Sequence, residues 1–169
     1  MNVATIGGTT LGAGLVLYRG VIWWPGLGRL RKDAIGSAMA ILPFLYAWAY
    51  GALLVMCSGG ILSWMADATL WAGNWAGDTA LVWGIGGSTA EVTRGSAQIL
   101  TNGGHSIVLL GTFLLAALLR RGKVDSKVVG HGLLSGILLG LVGGLPGQLV
   151  VTLASLANLA GAWNTEVLT

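Results

Sequence analysis

The sequence predicts an all-α, polytopic integral membrane protein. Residues 1–169 read as a single membrane domain with about four transmembrane helices and a Trp-rich amphipathic helix at the outer interface. Three observations carry this. Nine basic and six acidic residues make 9% of the 169, against about 25% in an ordinary soluble domain. Hydrophobic residues make 54% and mean hydropathy is +0.79, so there is too little polar surface to wrap a soluble core. Finally, the charges gather in islands between charge-free stretches at 1–18, 34–66, 95–119 and 128–165.

The islands give an orientation. Arg19, Arg29, Arg31, Lys32 and Asp33 sum to +3, as do Arg120, Arg121, Lys123, Asp125 and Lys127, whereas Asp67, Asp78, Glu91 and Arg94 sum to −2. Short basic loops stay cytoplasmic. Hence 19–33 and 120–127 are expected inside, with the N-terminus, 64–104 and the C-terminus outside. Arg19 follows the first apolar stretch rather than preceding it, unlike the basic start of a secretory signal. The composition suggests a prokaryotic cell membrane or a membrane-derived assembly.

The first span is expected over about residues 3–18. At 1.5 Å per residue it is only about 27 Å long, and Gly7, Gly8, Gly12 and Gly14 weaken it. Next comes RGVIWWPGLGRLRKD, where Trp23 and Trp24 alternate with bases. Indoles settle at headgroup depth while Arg29, Arg31 and Lys32 face phosphates or a lumen. The second span covers 35–58, with Pro43 as a kink and Gly59-Gly60 as its break.

Residues 64–94 differ in kind. Trp64, Trp71 and Trp75 recur at helical spacing, while Asp67, Asn74 and Asp78 gather elsewhere on the turn, which predicts an interfacial amphipathic helix. Asp67 and Asp78, about three turns apart, share one face; it reads as the wet face of that helix, or as an acidic ring in an oligomer. Ser88-Thr89-Ala90-Glu91 fits a capping box and predicts a second short helix from Ser88. A third span over 99–119 ends at Arg120-Arg121, and RRGKVDSK forms the inner loop. The fourth is placed at 128–150 within the run 128–162, which is about 50 Å if helical throughout. Gly144-Leu145-Pro146-Gly147 makes that run either one kinked helix or two limbs.

Gly132, Gly136, Gly140 and Gly144 stand four residues apart and predict a side-chain-free groove for close helix packing, with the same chain or another copy. His105 and His131 lack partners at ligand spacing, so no metal is expected, and Cys57, alone, forms no internal disulfide. No charge stands inside a span, which removes the usual mark of ion-coupled transport. Phosphate-loop, dinucleotide and zinc-hydrolase motifs are absent from the sequence, and an enzyme is not expected. The bases sit in two short loops rather than on a broad face, so no specific nucleic acid is expected. Membrane lipids, copies of the chain or other membrane subunits are the expected partners, with no cofactor beyond a bound phospholipid.

Residues 98–162 give an apolar helix, a tight basic loop (RRGK) and a Gly-rich apolar helix, and residues 1–65 repeat that outline around WWPGLGRLRKD. The layout resembles the helical hairpin of conjugative or type IV secretion pilins. That resemblance implies a filament subunit whose basic loop faces a lumen. The function the sequence favours is a non-enzymatic structural subunit that associates with copies or partners in a membrane-embedded assembly; the pilin-like filament subunit and a holin-like pore are the alternatives.

Overall fold

The computed structural model describes residues 3–24, 34–92, 100–122 and 124–168. Among them the protein is all-helical. Its helices are α1 (Ile6–Trp23), α2 (Ala34–Leu54), α3 (Gly60–Thr79), α4 (Asn102–Arg120), α5 (Ser126–Leu139) and α6 (Leu145–Leu168), and a π-helical turn, Ala80–Gly84, extends α3. Polar residues at the starts satisfy the free backbone N–H groups. The Thr5 hydroxyl accepts from Gly8 N–H, the Thr101 hydroxyl from Gly104 N–H, and Asp125 from Lys127 N–H. Within α1, the Thr9 and Thr10 hydroxyls donate to carbonyls one turn back, which hides their polarity. Helix α2 runs through Pro43.

Glycine decides how the helices meet. A Cβ on Gly132 would stand 2.6 Å from the Phe44 carbonyl oxygen and 2.9 Å from the Ala47 Cβ. One on Gly140 would stand 2.6 Å from Val55 Cγ2, and Gly136 lies against Trp48 and Ala52. These contacts climb both helices together, so α2 and α5 are parallel. Gly51 faces Leu133 and Ile137 from the other side. Helix α1 runs antiparallel to α5, with Gly12 on Leu138 and Leu139 and Tyr18 on His131. Helix α4 runs antiparallel to α2: Tyr46 donates to the Gly111 carbonyl (2.9 Å), Tyr50 pairs with the Thr112 hydroxyl (2.6 Å), and His105 meets Ser58. The core is drawn from all of these helices, with Leu70, Val108, Ile137, Leu138 and Val150 fully buried.

Helices α3 and α6 lie across one end of this bundle. The start of α3 is tied to the end of α2 by the Ser63 hydroxyl donating to the Cys57 carbonyl. Its last turns contact the start of α1 through Asn74, Gly77 and Asp78. Because α1 opposes α2 in direction, both places belong to the same end. Helix α6 begins beyond the end of α5 and reaches the start of α4 through Asn158 and Gly161.

The two halves repeat each other. Thr5-Ile6-Gly7-Gly8 opens α1 and Thr101-Asn102-Gly103-Gly104 opens α4. Asn74-Trp75-Ala76-Gly77 crosses the first, and Asn158-Leu159-Ala160-Gly161 crosses the second. The buried stripe Ala66, Leu70, Gly73, Gly77 on α3 recurs as Val150, Ala154, Ala157, Gly161 on α6, at identical spacing. In the α2–α5 contact, Ala47 faces Gly132 and Val55 faces Gly140, each pair 85 residues apart. Gly51 and Gly136, 85 residues apart as well, each face the pair corresponding to that faced by the other. Such reciprocity marks an approximate two-fold axis along the bundle.

Three expectations change. The run from Ser88 starts no helix: Ile6 N–H donates to the Ala90 carbonyl (2.9 Å) and Val92 N–H to the Ala4 carbonyl (2.8 Å), an extended pairing that outcompetes a lone capping box. The stretch 128–150 is not one span, since α5 stops at Leu139 and α6 begins at Leu145 after Gly144 in the left-handed region (φ +82°). The two helices either side of RRGK also do not pair as a simple hairpin, because α4 packs chiefly on α6 and α2 whereas α5 packs chiefly on α2 and α1.

Candidate functional site

Charge is sorted between the two ends. Asp67, Asp78 and Glu91 belong to the end crossed by α3 and α6, where they surround Thr5 in two adjoining clefts of about 260 and 210 Å³. Asp78 has a definite task there. Its Oδ1 accepts from Gly7 N–H (3.1 Å), so a carboxylate from α3 serves the positive end of α1, which has no acid of its own in its first turn. Asn74 works beside it, donating from Nδ2 to the Val3 carbonyl (2.7 Å) and accepting from Thr5 N–H (3.3 Å). Asn74 and Asp78, expected on a water-facing or ring-forming surface, therefore dock one helix on another. Asn158 repeats the Asn74 part, accepting from Thr101 N–H (2.9 Å) and the Thr101 hydroxyl (3.1 Å). Ala162 stands where Asp78 would recur.

The indoles of α3 point away from the protein: Trp64, Trp71 and Trp75 are 69, 72 and 65% exposed. Trp83, after α3, and Trp163, on α6, are exposed as well. Trp24 is exposed at the other end of α1, where Trp23 is half-buried.

At that opposite end, Arg120, Arg121 and Lys127 are exposed, and Arg19 is half-buried. Arg29, Arg31, Lys32 and Lys123 lie outside the described residues. Arg19 lines a cleft of about 230 Å³ with Ile22, Trp23, Ile41, Phe44 and Val128, and its Nε is buried with no hydrogen-bond partner. His131 Nδ1 is buried and unpaired nearby, its ring edge-on to Tyr18 at 5.9 Å. His105 has ordinary partners: Nδ1 lies 2.7 Å from the Thr101 carbonyl, and Nε2 accepts from Ser58 N–H at 3.4 Å. No group of three metal-ligating side chains occurs among the described residues.

Of the glycine series, Gly132, Gly136 and Gly140 are spent on α2 of the same chain. Gly144 stands apart, forming the turn into α6 with open space around its missing Cβ. Sequence reasoning expected Asn158 to make an interhelical hydrogen bond, as it does to Thr101, but missed the Asn74 crossing and the match between the two. The signal was present in the repeated T-x-G-G and N-x-A-G words, which become visible only when the two halves are aligned.

Among the described residues two helices are long and apolar enough to cross a membrane, Asn102–Arg120 and Leu145–Trp163; Ala38–Leu54 and Ser126–Leu139 are shorter apolar helices. This is weak support for membrane association. Comparison with protein-family models, curated proteins and solved structures gives no match to this chain.

Proposed function

We propose that the chain is a non-enzymatic structural subunit of a membrane-embedded assembly. Helices α1, α2, α4 and α5 span the bilayer, and α3 and α6 lie along its outer interface. The observation that carries the reading is the order of surfaces along the bundle. Asp67, Asp78, Glu91 and most exposed indoles gather at the crossed end, and Arg19, Arg120, Arg121 and Lys127 at the other, where Asp125 and Trp24 also stand; the outer faces of the helices are apolar, with Leu17 and Val21 on α1, Met39 and Leu42 on α2, Phe113 and Leu114 on α4. A lipid-embedded protein with its basic end in the cytoplasm has this order. Helix α6 is apolar enough to span, but both its attachments lie at one end of the bundle. Its exposed Gln148, Thr152 and Ser155 also share a face, which suits an interfacial helix.

Since the glycine groove is filled internally, partners meet the exposed aromatic surface of α3 or the apolar flanks. With Asp78 engaged by α1, support for an acidic conducting ring is reduced. The test is the mass of the native particle in mild detergent, corrected for bound detergent and lipid. The reading expects a defined multiple of 17.3 kDa or a complex with other subunits. A stable monomer with solute-transport activity in proteoliposomes would overturn it.

A further inference from the structure

The cleft at the basic end is lined by apolar side chains from α1, α2 and α5 around a single guanidinium. Its volume is about 230 Å³, enough for a phosphate and a few methylenes, and no carboxylate among the described residues lines it. A cation in such surroundings is costly unless an anion meets it. Arg19 Nε is buried and unpartnered among the described residues. The nearest acid in the chain direction of Val128, Asp125, is occupied at the start of α5 with Lys127 N–H (2.9 Å). The internal repeat sharpens the point. Counting from the matching starts Thr5 and Thr101, the place of Arg19 in α1 is taken in α4 by Leu115, a buried core residue. The two halves thus differ at this place, an apolar core residue in one and a guanidinium beside a cleft in the other.

We infer that this cleft holds an anionic phospholipid, its phosphate on the Arg19 guanidinium and its first acyl carbons against Ile22, Ile41 and Phe44. Arginine is suited to the work, since its planar fork pairs with phosphate oxygens and is weakly hydrated. Basic pockets between membrane helices at the cytoplasmic side are where such headgroups lodge.

The test uses the full chain, delipidated in detergent and titrated in native mass spectrometry with phosphatidylglycerol, with phosphatidylcholine of the same acyl chains, and with inorganic phosphate as competitor. One phosphatidylglycerol per chain is expected to survive activation, bound at least tenfold more tightly than phosphatidylcholine, with millimolar phosphate failing to displace it. Arg19→Met is expected to remove the preference. Ile41→Trp, which fills the apolar wall and leaves the charge, is expected to weaken phosphatidylglycerol binding about tenfold, guarding against misfolding of the first variant. Equal retention of both lipids, unchanged binding in both variants, or displacement by inorganic phosphate would each overturn the assignment.

Discussion

Single side chains do two unlike jobs in this protein. Asn74 is the clearest structural one, because it satisfies the Val3 carbonyl and Thr5 N–H at once from another helix. Removing it strands both backbone groups in a partly buried place. Asn74→Ala is therefore expected to lower stability by about 1–3 kcal/mol, read as a lower midpoint of thermal unfolding in detergent. Asp78→Ala takes one charge-assisted bond from the start of α1 and is expected to cost about 1–2 kcal/mol, while Asp78→Asn, which keeps an acceptor for Gly7 N–H, costs less. If Asp78→Ala and Asp78→Asn unfold together with the parent, the carboxylate is not holding the helix start. Arg19 is the contrasting case, a cation with a buried donor that no described residue pairs.

Among the elements, the α2–α5 contact depends on absent side chains. Gly136→Leu would drive a branched side chain into the backbone of α2 at Trp48 and Ala52, where overpacking costs about 1–3 kcal/mol or more. Gly130→Ala, on the open side of α5, meets nothing within 4 Å and is expected to be neutral or slightly stabilising, by up to about 1 kcal/mol. Comparing the two in one unfolding series separates groove packing from helix propensity; similar effects would remove the groove from the account. This is also where the sequence was most and least legible. Charge islands placed the starts of α2, α4 and α5 within a few residues, whereas the ends of α1, α3 and α5 and the whole of α6 differ more, and the four-residue glycine period fell on the face of α5 that α2 covers. The polar residues of α3 were misread because amphipathicity tells which side is polar, not whether water or a helix start satisfies it. The run from Ser88 was misread for a similar reason: local capping chemistry is worth little against pairing with residues more than eighty positions away.

Across the whole molecule, the internal repeat organises everything else. Two copies of a helix, a second helix and a crossing helix pack about an approximate two-fold, the second helices meeting each other along the axis and each first helix lying against the crossing helix of its own half. Because α2 pairs with α5 in parallel, the helices next to each other in sequence do not form simple hairpins and both crossing helices cover one end. The arrangement makes the central claim one about sidedness. Single cysteines placed at Ile61, Leu145, Trp163 and Lys127 in a Cys57→Ser background, in intact vesicles, are labelled with a membrane-impermeant maleimide. The account predicts that positions 61, 145 and 163 react from one side and 127 only from the other. Labelling of 145 and 163 from opposite sides would contradict it, making α6 a span and dissolving the parallel relation of the two halves.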